Sequence, residues 1–212
     1  MLLTPQAAPA TLTIGGGDIE APYWNLPFEG EAEPDGAQDD IGFLTELIDS
    51  TVSDLCIDVD RIFVTGNSNG AGMSAALACA LPGRIAAIAP VSGINLPEHC
   101  ADLAPVSVIA FHGDADPLVP YAGGSAARSE SDVPSVEERV AEFADAAGCA
   151  ADPEQSTPFD DVVHRRWTDC EPGRDVELWT VVGGGHTWPG MLAYVEPARL
   201  AELGASSQRL VD

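Results

Sequence analysis

The chain has 212 residues, a formal net charge of −25, nine basic residues that are all arginine, and 45% hydrophobic residues. A surface this acidic repels phosphate backbones and anionic lipid, which argues against nucleic-acid-binding and membrane-surface proteins. No apolar run in the sequence is long enough to span a bilayer. The length suits one globular domain, residues 1–212, with a hydrophobic core of its own.

The amino-terminal segment, residues 1–39, is expected to be irregular because proline and glycine are frequent there. Only Leu2 and Leu3, which precede Pro5, resemble the end of a buried strand. The same segment leads into an acidic patch over residues 29–40. We therefore expect the first regular element of the chain to begin at the end of this patch.

Predicted helices and strands alternate along the rest of the chain. Apolar residues at helical spacing, together with capping residues, predict helices over residues 39–55, 73–80 and 135–147 and a helical patch over 198–203. Short apolar runs predict strands over residues 62–64, 85–91 and 106–111, and a turn at Pro172 and Gly173 joins two further predicted strands, 162–168 and 176–182. This alternation indicates an α/β fold, with a mostly parallel sheet flanked by helices.

The segment G-N-S-N-G places Ser68 at the turn between the predicted strand 62–64 and the predicted helix 73–80. A nucleophile elbow requires a strand, a tight turn and a helix, with glycines beside a strained serine, here Gly66 and Gly70. The alternative is a glycine-rich turn whose serine has no chemical role. Because a serine hydroxyl is a weak nucleophile, the functional interpretation also requires a base and an acid that orients the base.

Four histidines are candidates for that base. His186 follows an apolar strand in a loop with three preceding glycines, which permit unusual backbone angles. His112 also follows a strand, but a histidine in H-G-D can equally hydrogen-bond near its own strand end. His99 lies in a predicted surface loop, and His164 lies in a predicted strand beside two arginines. We therefore favour His186 as the base.

Two carboxylates, Asp114 and Asp116, follow the predicted strand 106–111 and are candidates for the acid. The carboxyl ends of parallel strands meet at one edge of a sheet, where a nucleophile and a base would also lie. The order of Ser68, an aspartate and His186 along the chain is the order of α/β-hydrolases. Three suitable residue types at three strand ends favour a catalytic triad over a coincidental pentapeptide.

The five cysteines lack the paired spacing of a zinc site, so we expect no metal. Cys79 and Cys100 flank one segment and Cys149 and Cys170 flank another, which suits two local disulfides and leaves Cys56 unpaired. A reduced cytosolic protein with five buried thiols is the alternative. The first residues have neither the basic start nor the apolar core of a signal peptide.

Five motifs together resemble those of one family: D-D-I-G-F-L, D-R-I-F-V-T-G-N-S-N-G, A-A-I-A-P-V-S-G, H-G-D-A-D-P-L-V-P-Y and G-G-G-H-T-W-P-G. Over residues 39–190 the chain is similar to secreted α/β-hydrolases of the polyhydroxybutyrate depolymerase and feruloyl or acetylxylan esterase (LpqC-like) group. The resemblance implies that Ser68 is the nucleophile, that Asp116 rather than Asp114 is the acid, and that His186 is the base. It also implies disulfide-bonded cysteines and an extracellular location.

The implied reaction is two-step acyl transfer on a small-molecule or polymer ester, through an acyl-enzyme and without a cofactor. The polyhydroxyalkanoate, feruloyl and acetyl esters are the implied substrates. The backbone amide of Asn69 is expected to donate to the oxyanion. Trp188 and Tyr121 flank the acid and base loops, where they either line the substrate pocket or pack against neighbouring side chains.

The chain also departs from this family pattern. No H-G motif, the usual source of a second oxyanion donor, precedes Asp39. We therefore expect the chain to lack the first strands of the fold, and also the last helix, which usually follows G-A-S-S-Q-R-L-V-D. The alternative function is a catalytically impaired hydrolase-fold remnant, or an interaction protein, without a complete oxyanion hole.

Overall fold

A computed structural model describes residues 1–14, 17–26, 37–96, 100, 103–125 and 132–190 of the chain. Its helices are α1 (Asp40–Asp54), α2 (Asn69–Ala80) and α3 (Val136–Ala146). Its strands are β1 (Pro9–Ile14), β2 (Gly17–Pro22), β3 (Phe63–Asn67), β4 (Ala87–Val91), β5 (Ser107–Gly113), β6 (Gly124–Ser125), β7 (Asp132–Val133), β8 (Glu154–Phe159), β9 (Val162–Trp167) and β10 (Val176–Val181). None of the described helices is long and apolar enough to cross a membrane.

The central element is a six-stranded sheet with the order β3-β4-β5-β10-β9-β8. Strands β3, β4, β5 and β10 run parallel to one another, and β9 and β8 extend the sheet beyond β10 with antiparallel pairs. The predicted α/β fold with a mostly parallel sheet is therefore confirmed. This topology places the loops that follow β3, β4, β5 and β10 at the same edge of the sheet.

The core lies between the sheet and helices α2 and α3. Ala75 of α2 and Phe143 of α3 belong to the same buried cluster as Leu178 of β10. Side chains that alternate with the buried ones point to the opposite face, where Phe63 is 63% exposed and Ile109 is 37% exposed. The described helices thus cover one face of the sheet and leave apolar side chains on the other.

Local capping signals explain where two of the helices begin. The Asp39 side chain accepts a hydrogen bond from the amide of Gly42 at the start of α1. Ser135 and Glu138 form the predicted capping box at the start of α3. Helix α2 instead begins at Asn69, four residues before the predicted start, because the elbow turn passes directly into it.

The prediction of an irregular amino-terminal segment is wrong. Strands β1 and β2 pair antiparallel, and the Thr11 hydroxyl donates a hydrogen bond to the carboxylate of Glu20 across the pair. Leu2 and Leu3 form no strand and are exposed. Interpretation from proline and glycine content overlooked the alternation of small apolar and polar residues that pairs these strands.

Strand β8 also has no counterpart in the predictions. All of its residues are exposed, so it lacks the apolar signal of the inner strands. It forms because β9 offers an unpaired edge to the chain that precedes it. The predicted helical patch over residues 198–203, and residues 29–36 of the acidic patch, lie outside the described residues.

Candidate active site

Ser68 lies at a sharp turn between β3 and α2, with φ 55° and ψ −118°. A serine rarely adopts a positive φ, so surrounding contacts must hold this strained conformation. The amide of Ser68 donates a 2.8 Å hydrogen bond to the carbonyl of Val91, and its carbonyl accepts from the amides of Ala71 and Gly72. These bonds hold the backbone on both sides of the Ser68 side chain.

The two glycines of the elbow have different roles. A Cβ atom on Gly66 would lie 2.3 Å from the carbonyl carbon and oxygen of Gly70, so no side chain fits there. A Cβ atom on Gly70 would have no neighbour within 4 Å among the described residues. The expectation that both positions require glycine is therefore wrong for Gly70, because its missing side chain would point into open space.

Asp116 and His186 are brought together by the neighbouring parallel strands β5 and β10. The loops that follow these strands pack closely, since a Cβ atom on Gly113 would lie 2.2 Å from the carbonyl oxygen of Gly184. The amide of Ala115 donates to that same carbonyl oxygen at 2.9 Å. His186 Nδ1 lies 2.8 Å from Asp116 Oδ2, within hydrogen-bond distance.

The Asp116 side chain is fully buried but well supplied with hydrogen-bond donors. Its Oδ1 atom accepts from the amides of Leu118 and Val119, both at 2.9 Å. Burial alone would raise the pKa of this carboxyl, but hydrogen bonds from His112, His186 and Val119 hold the pKa well below its ordinary value. Asp116 is therefore ionised, and its charge faces the His186 imidazole.

Asp114, the other candidate for the acid, lies in the same loop but in a different environment. It is exposed, and its Oδ1 atom accepts a 2.6 Å hydrogen bond from the amide of Gly183. This contact ties the loop after β5 to the loop after β10. The structure therefore places the Asp116 carboxylate, and not that of Asp114, against His186.

The loop that holds His186 is also linked to the end of β4, beside the elbow. Ser92 is buried, its amide donates to the carbonyl of Phe111, and its hydroxyl lies 3.4 Å from the carbonyl of Thr187. The Ser68 hydroxyl makes no hydrogen bond to any described residue. The structure thus joins Asp116 to His186 and places the elbow with Ser68 at the same sheet edge. In ligand-free enzymes the bond between nucleophile and base is often long.

Asn69, the residue after Ser68, has separate roles for its side chain and its backbone. Its side-chain oxygen accepts from the amide of Trp24 at 2.7 Å, and its side-chain nitrogen donates to the carbonyl of Trp24 at 3.0 Å. The amide of the next residue, Asn25, donates to buried Asp40 at 2.7 Å. The amide of Asn69 is at the amino end of α2, where backbone N–H groups have no acceptor within the helix.

The two predicted aromatic wall residues have different environments. Trp188, two residues beyond His186, is 39% exposed. Tyr121 is half-buried, and its hydroxyl lies 2.8 Å from Thr180 Oγ1 and 3.0 Å from Glu137 Oε1. Burial raises the pKa of Tyr121 to about 12, although Thr180 and a nearby arginine act in the opposite direction. The Tyr121 hydroxyl is thus fully engaged with α3 and β10.

The remaining histidines lie in three different places. His164 on β9 contacts Glu177 and stacks on Trp179, away from the elbow loop. His99 lies outside the described residues. His112 is buried on β5 and contacts Asp116. This last contact was not predicted from the sequence, although the H-G-D-A-D spacing places His112 and Asp116 one short turn apart.

Four cysteines form two disulfides, Cys79 with Cys100 and Cys149 with Cys170, as the spacing suggested. Cys56 is free and exposed. The described part of the chain holds no group of three or more side chains that could bind a metal ion.

Comparison with known proteins identifies the family. The phospholipase/carboxylesterase family model matches residues 22–135, which is just over half of the chain. The chain belongs to the phospholipase/carboxylesterase family. The matched range of this carboxylesterase family member includes the elbow at Ser68 and the acid loop at Asp116. Its six-stranded sheet and three described helices form an α/β-hydrolase fold.

Individual relatives are esterases by name. The chain is 32% identical over 157 residues to feruloyl esterase B of Piromyces equi, and the aligned region covers 70% of this chain and 29% of that protein. It is 30% identical over 202 residues to the putative esterase NocK of Nocardia uniformis subsp. tsuyamanensis, and the aligned region covers 87% of this chain and 57% of that protein. It is 29% identical over 181 residues to feruloyl esterase D of Neurospora crassa, and the aligned region covers 78% of this chain and 58% of that protein. The chain thus spans less than two thirds of the length of each of these relatives.

Proposed function

We propose that this chain carries the catalytic centre of a serine esterase that hydrolyses carboxylic esters through an acyl-enzyme. The observation that carries the proposal is the 2.8 Å contact between His186 Nδ1 and the buried, ionised Asp116, at the sheet edge that holds the Ser68 elbow. Membership of a carboxylesterase family and similarity to proteins named feruloyl esterase support it.

In this mechanism, Asp116 accepts the Nδ1 proton of His186 in a hydrogen bond, which leaves Nε2 unprotonated and able to act as a base. His186 removes the proton of the Ser68 hydroxyl as Ser68 attacks the ester carbonyl. The protonated His186 then donates to the leaving alcohol. Water hydrolyses the acyl-enzyme with His186 again as the base, which restores the free Ser68.

The oxyanion of each tetrahedral intermediate requires backbone donors close to Ser68. We assign one of them to the amide of Asn69, because it is at the amino end of α2, where positive partial charge accumulates. A single such donor contributes about 3 kcal/mol to stabilisation of the transition state. The side chain of Asn69 cannot take this role without losing its two hydrogen bonds to Trp24.

The natural ester belongs to the feruloyl, acetyl or polyhydroxyalkanoate class, and the names of the relatives favour the feruloyl esters. Exposed Trp188 is placed to contact the substrate, whereas Tyr121 contributes mainly through its hydrogen bonds to Thr180 and Glu137. On this assignment, Trp188→Ala raises KM for methyl ferulate, while Tyr121→Phe lowers the melting temperature and leaves KM unchanged. A comparison of methyl ferulate, acetylxylan and hydroxybutyrate oligomers identifies the preferred class.

The two disulfides support an oxidising environment, since they rarely persist in the cytosol. We therefore place the protein outside the cytosol, as an extracellular enzyme. Detection of the oxidised protein in culture medium, by its mobility before and after reduction, tests this location.

The direct test of the proposed function compares hydrolysis of a short-chain nitrophenyl ester by the wild type and by Ser68→Ala. We expect the variant to lose at least about a thousandfold in kcat. A fluorophosphonate probe should label the wild type at Ser68 and leave the variant unlabelled. Equal hydrolysis by both proteins would refute Ser68 as the nucleophile.

A catalytically impaired remnant is the alternative, and the lack of a hydrogen bond from the Ser68 hydroxyl to any described residue is the observation in its favour. The same fluorophosphonate probe separates the two functions. Labelling of Ser68 requires an activated serine and therefore supports the esterase. Absence of both labelling and hydrolysis would support the remnant.

A further inference from the structure

We propose that His112 is a positioning residue that holds Asp116 in the orientation required by His186. This inference rests on the proposed ester hydrolysis at Ser68. His112 is only 2% exposed and sits on β5, four residues before Asp116. Its Nε2 atom lies 2.9 Å from the carbonyl oxygen of Val119 and 3.4 Å from Asp116 Oδ2.

The contacts of His112 close a ring around the acid loop. Val119 donates its amide to Asp116 Oδ1, and its carbonyl oxygen faces His112 Nε2. Asp116 Oδ2 in turn faces both imidazoles, those of His112 and His186. Each carboxylate oxygen of Asp116 thus has its own donors, and His112 contacts both the carboxylate and the loop that holds it.

The protonation of His112 follows from this geometry. Its Nε2 atom faces a carbonyl oxygen and a carboxylate oxygen, and neither of these groups can donate a hydrogen bond. Nε2 must therefore carry a proton, whether the ring is neutral or charged. A buried histidine that only filled space would not require two oxygen acceptors at the same nitrogen.

The His112 ring is itself held in place by Tyr121. The two rings meet edge to face, with centroids 5.9 Å apart. The Tyr121 hydroxyl is bound by Thr180 of β10 and by Glu137 of α3, and Arg165 of β9 lies 3.3 Å from it. His112 therefore cannot turn away from Asp116 without disturbing contacts with three other elements.

The expected effect of losing the Nε2 donor is on catalysis more than on binding. Without it, Asp116 can turn within the loop, and the His186 imidazolium that forms in the transition state is less well stabilised. Because His112 is buried and does not face solvent, KM should change little. The charged or titratable groups that face Asp116 are His112 on β5 and His186 after β10. Because they lie on different elements, a substitution of His112 tests its effect on Asp116 while His186 stays in place.

The experiment compares His112→Gln with His112→Asn. Glutamine can place its amide N–H close to the position of Nε2, whereas asparagine is one methylene shorter and cannot reach Val119 and Asp116. We expect His112→Asn to lose about tenfold or more in kcat with little change in KM, and His112→Gln to recover most of that loss. His164→Asn, on a different strand, controls for histidine removal and should leave kcat unchanged.

A second readout does not require turnover. The Nδ1 proton of His186, hydrogen-bonded to Asp116, should give a strongly downfield proton resonance in the wild type and in His112→Gln. This resonance should be lost or shifted in His112→Asn, although circular dichroism shows the protein to be folded. A purely structural role of His112 would not change this resonance in a variant that remains folded.

The outcomes are distinct. Equal kcat and equal resonance in wild type and His112→Asn would overturn the inference, as would a folded His112→Gln that loses both. If His112→Asn does not fold, the test of the inference is His112→Gln alone. This variant keeps an N–H donor and should therefore keep the resonance of the His186 Nδ1 proton. A wild type without any hydrolysis refutes the proposed function, and the resonance comparison still tests the link between His112 and Asp116.

Discussion

His186 Nδ1 lies 2.8 Å from Asp116 Oδ2, although 70 residues separate the two along the chain. The contact exists because β5 and β10 are parallel neighbours in the sheet, so the loops that follow them leave at the same edge. The Asp116 side chain is fully buried, and His186 closes over it with only 9% of its own side chain exposed. Asp116 and His186 are therefore already in contact in the ligand-free chain.

The first prediction concerns the two neighbouring carboxylates. Asp116→Asn should lower kcat roughly a thousandfold to ten-thousandfold, because an amide favours the wrong tautomer of His186 and does not stabilise its imidazolium. Asp114→Asn is the matched control, since Asp114 is exposed and bonds only the amide of Gly183. Steady-state hydrolysis of a nitrophenyl ester measures kcat for both variants. A larger loss in the Asp114 variant would reverse the assignment of the acid.

The second prediction concerns stability at acidic pH. The pKa of Asp116 is lower in the folded chain than its ordinary value of 3.8, so its ionised form stabilises the fold above that pH. This contribution is lost as pH falls below the ordinary value toward the folded pKa. The free energy of unfolding in urea should therefore fall by roughly 1 kcal/mol more in the wild type than in Asp116→Asn between about pH 5 and about pH 3. Parallel declines would contradict the buried, ionised state of Asp116.

The third prediction separates the two glycines of the elbow. Gly66→Ala should lower the free energy of unfolding by about 1–3 kcal/mol, or prevent folding, because its Cβ atom would lie 2.3 Å from backbone atoms of Gly70. Gly70→Ala should be neutral or stabilise by up to about 1 kcal/mol, since alanine favours helix and the space is open. Urea denaturation of both variants provides the comparison. Similar destabilisation by the two substitutions would show that the elbow is packed differently.

The fourth prediction concerns the cysteines. Replacing Cys149 and Cys170 together by serine should lower the free energy of unfolding by about 3 kcal/mol, because the disulfide closes a loop with a sequence separation of 21 residues. Cys56→Ser is the control and should have no measurable effect, since Cys56 is free and exposed. Denaturation with and without a reducing agent measures the difference. A reducing agent that does not destabilise the wild type would contradict the presence of these bonds.

Much of the architecture was predictable because its causes are local. The helix α3 begins at Ser135 because the Ser135 and Glu138 side chains satisfy each other's backbone amides, and both residues lie within one turn. The five predicted strands are all present, because short apolar runs mark β3, β4 and β5, and the turn at Pro172 and Gly173 marks the pair of β9 with β10. Strand β8 and the pair of β1 with β2 were missed, since their formation depends on a pairing partner more than on their own composition.

The sequence by itself determined the candidate residues, because a strained serine between glycines, an aspartate loop and a glycine-rich histidine loop each have a local signature at Ser68, Asp116 and His186. The residue pattern alone left open whether Asp114 or Asp116 meets the histidine, and the family resemblance favoured Asp116. Neither indicated that His112 contacts Asp116. Only the tertiary structure decided these points, because they depend on which side chains two adjacent parallel strands direct toward each other. Asp114 and Asp116 both lie in the loop after β5, and the packing of this loop against the loop after β10 sets which carboxylate faces His186.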